Sequence, residues 1–214
     1  MVPNRTLIWS LVIPVKVLAL AKSRLSGLSG PDRAELALAM AADTVAAAAA
    51  CPAVGAVIAV TDDAVAGAEL ASLGAEVIPD VPGSGLNAAL VFGAAHAGSR
   101  WPGSGRAGLA ADLPALRPAE LGAALAAAPA NCDAFVADAA GSGTALYTAG
   151  PGVAFCPRFG QQSRAAHLAG GAVQLDVPGI GGLRQDVDTA ADLRAAAELG
   201  LGPRSAALFA VLGL

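Results

Sequence analysis

Four times in the first 130 or so residues, a short apolar run gives way to a stretch rich in Ala and Leu. The runs at residues 7–13, 54–60, 76–78 and 107–111 read as buried strands. The stretches at 32–50, 64–73, 86–97 and 118–128 read as helices. Local signals agree: Pro31 and Asp32 open the first helix, Thr61, Asp62 and Asp63 stop the second strand, and Gly74 ends the second helix. Strands that alternate with helices must cross over between neighbours, which makes a parallel sheet with helices on both faces. After residue 130 the rhythm changes. Segments 134–137, 145–149 and 172–175 read as strands, 163–169 as a short helix, 183–187 as a strand leading into a helix at 189–199, and 205–212 as a last helix. No internal repeat or dividing linker is visible, so residues 1–214 form one mixed α/β domain.

Composition removes several function classes. At 55% hydrophobic and 14% charged residues the chain has material for a sizeable core, so disorder is excluded. A formal net charge of −4 without a basic stripe argues against nucleic acid as a partner. Cys51, Cys132 and Cys156 are widely spaced and only His96 and His167 accompany them, so a zinc site is not expected and buried free thiols are. Arg5, the run 7–13 and Ala19-Leu20-Ala21 imitate a signal peptide, but Pro14 and Lys16 break it. No run reaches a membrane span. The expected setting is cytoplasmic.

The chain lacks a phosphate-loop signature, a GxSxG elbow and an HExxH pair. Gly103, Gly105 and Gly108 match GxGxxG, but they precede a strand instead of opening a helix, and so read as coincidence. More informative are its only two lysines, Lys16 and Lys22, which fall with Arg24 in the loop after the first strand. Open α/β sheets bind ligands outside the carboxyl ends of their strands, and such cations suit phosphate oxygens. A solvated basic loop is the plainer reading.

Asp112 likewise follows a strand, and Asp186 and Asp188 lie where the strand at 183–187 yields to a helix. In an extended segment residues two apart share a face. Carboxylates opposite a basic loop are what a Mg²⁺–triphosphate site requires, with Mn²⁺ as an alternative. Asp188 could equally cap the helix, and Asp112 could be a turn residue. Two loops complete the set. Gly141-Ser142-Gly143-Thr144 offers backbone N–H groups as an anion nest, and Arg158 to Arg164 leads into a helix N-terminus. Each could also be an ordinary turn. His167, one turn beyond Ser163, could orient that loop but reads more simply as a core or surface histidine, and His96 is given no role.

In order, these segments are Pro14-Val15-Lys16 with Lys22-Ser23-Arg24, Gly85-Leu86-Asn87, Ala111-Asp112-Leu113-Pro114, Phe135 to Asp138, Gly141 to Thr144, Arg158-Phe159-Gly160 with Ser163, and Gly182 to Leu193. Together they resemble the guanylyltransferases of coenzyme F420 biosynthesis, which use phosphoenolpyruvate or 2-phospho-L-lactate. Ala111 stands where that family pattern has glycine. The resemblance implies a single-domain nucleotidyltransferase fold (GT-A, Rossmann-like), with a mostly parallel mixed sheet. It implies GTP and an acceptor as partners; the Ala-, Gly- and Arg-heavy composition looks like that of a high-GC actinobacterial protein, and for actinobacterial members the resemblance implies phosphoenolpyruvate. The product would be enolpyruvyl-diphospho-guanosine, handed to a pathway transferase, and a homo-oligomer is compatible. Lys16, Lys22 and Arg24 are then expected on the triphosphate, Asn87 on the nucleotide, and Asp112, Asp186 and Asp188 on the metal. Thr144, Gly160 and Ser163, with Arg164 nearby, are expected on the acceptor.

Overall fold

A computed structural model describes residues 7–20, 25 and 28–213. Among them, β1 is Trp9–Pro14, followed by a 3₁₀ turn at Leu18–Leu20 and α1 at Gly30–Ala49. Next come β2 (Val54–Val60), α2 (Ala64–Ser72), β3 (Glu76–Ile78), α3 (Leu86–Arg100), β4 (Gly105–Leu109) and α4 (Pro118–Ala127). The remainder is β5 (Asp133–Val136), β6 (Leu146–Ala149), α5 (Ser163–Ala169), β7 (Val173–Gln174), α6 (Gly181–Arg184), α7 (Ala190–Leu199) and α8 (Pro203–Leu212). No helix among the described residues is long and apolar enough to cross a membrane.

The described strands form one sheet in the order β3-β2-β1-β4-β6-β5-β7. β3, β2, β1 and β4 run parallel, as crossover helices demand. β6 is antiparallel to both β4 and β5, because only the short loop 137–145 joins β5 to it. Two consequences place the site. The chain moves from β1 outward through β2 and β3, then returns to the other side of β1 for β4, so the sheet's topological switch point lies between β1 and β4. And β5, antiparallel to an antiparallel strand, points the same way as β1, so the β5–β6 loop emerges at the same edge as the loops after β1 and β4.

Alternation along β1 divides the core. Trp9, Leu11 and Ile13 meet α1 and α4 on one face, while Val12 meets α3 on the other. Glycines permit the closest approaches. A Cβ on Gly93 of α3 would strike Val12, and one on Gly105 would strike the Trp9 indole. Gly108 lies similarly against Leu90. The GxGxxG match is therefore largely a packing feature.

The structure departs from expectation at residues 183–187, which form no strand. Leu183 lies within α6, its N–H donating to Glu120 Oε2 at 3.0 Å, and the carbonyl of Arg184, which ends the helix, accepts from Ala139 N–H at 2.7 Å. With those groups engaged, no ladder can form. The buried pair Leu183 and Val187 that suggested a strand is instead an end-to-end anchor of a turn. Thr189, not Asp188, is the N-cap of α7, in a capping box with Asp192. Of the three thiols only Cys51 is buried. Cys132 is half-buried and Cys156 exposed, because both lie on connecting segments.

Candidate active site

At the switch point the loops after β1 and β4 diverge and leave a cleft of about 710 Å³. Lys16, Asp112 and Asp188 all line it, and Asp80 and Phe159 also contribute. The Lys16 loop is held from both ends. Val15 N–H donates to the Val60 carbonyl at 2.9 Å, and Leu18 N–H donates to Asp63 Oδ2 at 3.0 Å. Asp63 also caps α2 through Val65 and Ala66, and these backbone donors, Ala66 first and Leu18 next, hold its carboxyl below its ordinary range. Lys22 and Arg24 lie outside the described residues.

Asp112 sits on a turn clamped from beneath by Thr44, a fully buried hydroxyl in the otherwise Ala-rich α1. Thr44 Oγ1 accepts from Leu113 N–H at 3.1 Å and shares its proton between the carbonyls of Met40 at 2.8 Å and Ala111 at 3.2 Å. From above, Val187 N–H donates to the Asp112 carbonyl at 3.1 Å, and Gly202 N–H to that of Pro114 at 2.7 Å. The segment carrying Asp186 and Asp188 is thus stitched to the Asp112 turn by its own backbone. Glu120 anchors its far end, accepting from Gly182 N–H at 3.2 Å and Leu183 N–H at 3.0 Å.

Asp186 is half-buried and Asp188 exposed. Burial, then the charges of Asp112, Asp138 and Asp188, push the Asp186 carboxyl up to about 7. A hard cation would relieve that repulsion. Among the described residues no three His, Cys, Asp or Glu side chains are grouped to chelate a metal unaided. A single cation held here would draw on one or two of Asp112, Asp186 and Asp188. That number still fits Mg²⁺, which takes few carboxylates and completes its shell with phosphate oxygens and water.

The β5–β6 loop is built differently from the anion nest expected. Ser142 and Gly143 N–H groups both donate to the Asp138 carboxylate, each at 2.9 Å. A Cβ on Gly143 would collide with that carboxylate. The nest is filled from within. The N-terminus of α5 is not open either: Ser163 N–H donates to Gly160 O at 3.2 Å and Arg164 N–H to Ser142 O at 3.1 Å. These bonds lock the two loops together. Arg184 adds a further tie, donating to the carbonyls of Ala137 at 3.1 Å and Asp138 at 2.9 Å.

What the loops do assemble is a hydroxyl pair. Ser163 Oγ donates to Thr144 Oγ1 at 2.9 Å, and Thr144 Oγ1 lies 3.0 Å from His167 Nδ1. Gly160 stands beside them at φ +136, and Gln162, the one non-glycine residue at positive φ among those described, has φ 57. Asn87 also has partners within the protein. Its amide donates to the Phe159 carbonyl at 2.9 Å and its Oδ1 accepts from Phe159 N–H at 2.8 Å, which fastens the 158–160 loop to α3. Arg164 Nε donates to Gln174 Oε1 at 2.8 Å. Sequence reasoning gave no role to Thr44, Asp138, Glu120 or Arg184. Only His167 carried a signal, its one-turn spacing from Ser163.

A family model described as "Guanylyl transferase CofC like" matches residues 9–176. A phosphoenolpyruvate guanylyltransferase of Thermomonospora curvata is 60% identical over 204 residues, covering 95% of this chain and 90% of its own length. One of Streptomyces coelicolor is 58% identical over 205 residues, covering 95% and 97%. A nucleotidyl transferase from Methanothermobacter thermautotroptrophicus superposes with TM-score 0.58 at 18% identity, over 90% of this chain and 97% of that one. A nucleotide-diphospho-sugar transferase described for Desulfovibrio desulfuricans G20 gives 0.60 at 17% identity, over 89% and 96%. At those identities the structural likeness speaks for the nucleotidyltransferase fold alone.

Proposed function

Because the chain belongs to the CofC-like guanylyl transferase family, we propose that it transfers GMP from GTP to phosphoenolpyruvate, in coenzyme F420 biosynthesis. A phosphate oxygen of phosphoenolpyruvate attacks the α-phosphorus of GTP. A new P–O bond forms, the bond to the bridging oxygen breaks, and pyrophosphate leaves, so that enolpyruvyl-diphospho-guanosine remains. The observation that carries this reading is that Lys16, Asp112 and Asp188 line one cleft at the switch point.

The nucleophile is already anionic and needs no strong base. The task is to bring two polyanions together and hold them. Lys16, with Lys22 and Arg24 by sequence, would bind the triphosphate. Asp112, with Asp186 or Asp188, would hold Mg²⁺ or Mn²⁺, which supplies positive charge to the phosphate oxygens. Thr144, Gly160 and Ser163 would receive the acceptor, with Asn87 acting through Phe159 to hold their loop. A downstream transferase would take up the product.

The test is pyrophosphate release by the purified protein with GTP and Mg²⁺, comparing phosphoenolpyruvate, 2-phospho-L-lactate and no acceptor. Release with phosphoenolpyruvate alone is expected. Release only with 2-phospho-L-lactate reassigns the acceptor, and GTP binding without release under any condition refutes the catalytic reading.

A further inference from the structure

His167 is a buried titratable group, 1% exposed, that the reaction above does not use. Its ring stacks with both Phe135, at 5.2 Å, and Tyr147, at 4.9 Å, with Phe159 edge-on at 5.9 Å. These ring contacts fix the imidazole plane and aim both nitrogens. Nε2 lies 2.8 Å from the Arg158 backbone N–H. A backbone N–H can only donate, so Nε2 must present its lone pair, and a neutral ring must then carry its proton on Nδ1. Nδ1–H in turn donates to Thr144 Oγ1, 3.0 Å away.

A proton count follows. The Nδ1–H and the hydroxyls of Thr144 and Ser163 hold three protons, while the contacts from Nδ1 to Thr144 and from Ser163 to Thr144 consume two. One O–H is left over. Ser163 Oγ is the donor within the pair, and Thr144, at 8% exposed, is the more accessible of the two hydroxyls. The surplus proton therefore belongs to Thr144.

We infer that His167 is a positioning residue, whose Nδ1–H occupies Thr144 Oγ1 so that the Thr144 hydroxyl is left to donate to an anionic oxygen of the acceptor substrate. This deepens the functional reading above and rests on it for the identity of that acceptor. The opposite tautomer would cancel the device. With the proton on Nε2, the Arg158 N–H would lose its partner and Thr144 would turn its own proton inward to Nδ1. Burial, then the charge of Arg158, pushes the His167 imidazole down to about 4, which keeps it neutral near pH 7.

Two substitutions separate the two nitrogens. H167N leaves an amide near the Nδ1 position, able to donate to Thr144, and gives up the Arg158 contact. H167Q reaches the Nε2 position, where its carbonyl can accept from Arg158, and gives up the donor to Thr144. H167Q is expected to raise KM for phosphoenolpyruvate by about tenfold over H167N, because a Thr144 hydroxyl no longer held by a donor is free to turn away from the acceptor, with KM for GTP unchanged between the two. T144S is expected to recover most of what T144V loses, and H167Q added to T144V to cost no further acceptor affinity. Equal KM values for H167N and H167Q, or a parallel rise in KM for GTP, would overturn the inference and leave a packing role.

Nitrogen NMR of the substrate-free wild type gives a second arm that needs neither a surviving variant nor a substrate. The Nδ1–H tautomer near neutral pH supports the relay, and the Nε2–H tautomer or an imidazolium overturns it. Failure of the wild type to release pyrophosphate with phosphoenolpyruvate overturns the functional reading instead, so the two failures are distinguishable.

Discussion

Replacing Thr44 with valine isolates the clamp beneath Asp112. The substitution keeps the β-branched shape, and so the packing of α1, and removes only a hydroxyl. In the wild type that hydroxyl accepts from Leu113 N–H at 3.1 Å and donates to the carbonyls of Met40 and Ala111. The Met40 carbonyl belongs to the helix ladder and is not stranded by the loss. The Leu113 N–H is different: both Leu113 and Thr44 are 0% exposed, so no water can replace the hydroxyl. A buried donor left without a partner costs about 1–3 kcal/mol. For a chain of this size that lowers Tm by roughly 2–4 °C per kcal/mol. The turn relaxes to find another acceptor and carries Asp112 with it. A misplacement of about 1 Å costs on the order of 100-fold in rate. T44V should therefore lower Tm by several degrees and kcat by at least about tenfold, and raise the Mg²⁺ concentration for half-maximal activity. T44S, which keeps the hydroxyl, should recover most of the activity. Thermal melts and a Mg²⁺ titration of pyrophosphate release check this. A T44V protein with wild-type metal dependence, or a T44S protein as impaired as T44V, would refute the clamp.

Asp112→Asn should reduce turnover by about 100-fold or more while leaving Tm unchanged or slightly higher, since it removes a charge that repels Asp186; equal loss of activity and stability would count against a catalytic role. Gly182→Ala drives a Cβ into the Ala115 carbonyl and the Glu120 carboxylate, so it should destabilise the fold by roughly 1–3 kcal/mol, read by denaturant melts, and a neutral result would refute the close packing of α6. His167 titrates near 6.5 when unfolded and about 4 when folded. The unfolded chain binds more protons between these values, so this contribution is complete above about 6.5 and is lost as pH falls towards 4. At 1.36 kcal/mol per unit it amounts to about 3 kcal/mol, and H167N should flatten the stability profile in that window; an unchanged slope would refute the assignment.

Much of the fold was legible because it is written in short-range pattern. β2, β3 and α5 fall where hydrophobic runs and punctuation placed them, with the same end residues. The neighbourhoods of Lys16 and Asp112 were legible for a related reason, since a polar residue directly after a buried strand lands at the binding edge of a parallel sheet. The resemblance of the ordered segments carried the family. Residues 183–187 misled because Leu183 and Val187 are apolar at the spacing of either a strand or a turn. Glu120, more than sixty residues earlier in the chain, decided the matter by taking the Leu183 N–H.

The same distinction runs through the site. The sequence by itself determined most of the strands and helices, residues 183–187 excepted, because periodicity and capping act over a few residues. Tertiary structure alone decided the strand order that opens the cleft between β1 and β4. It also decided that Asp138 fills the β5–β6 nest, that Asn87 pairs with Phe159, and that Thr44 holds the Asp112 turn. Each of these last three is a backbone donor finding a side-chain acceptor. Which acceptor is in reach depends on segments far apart in the chain, and no local pattern records that.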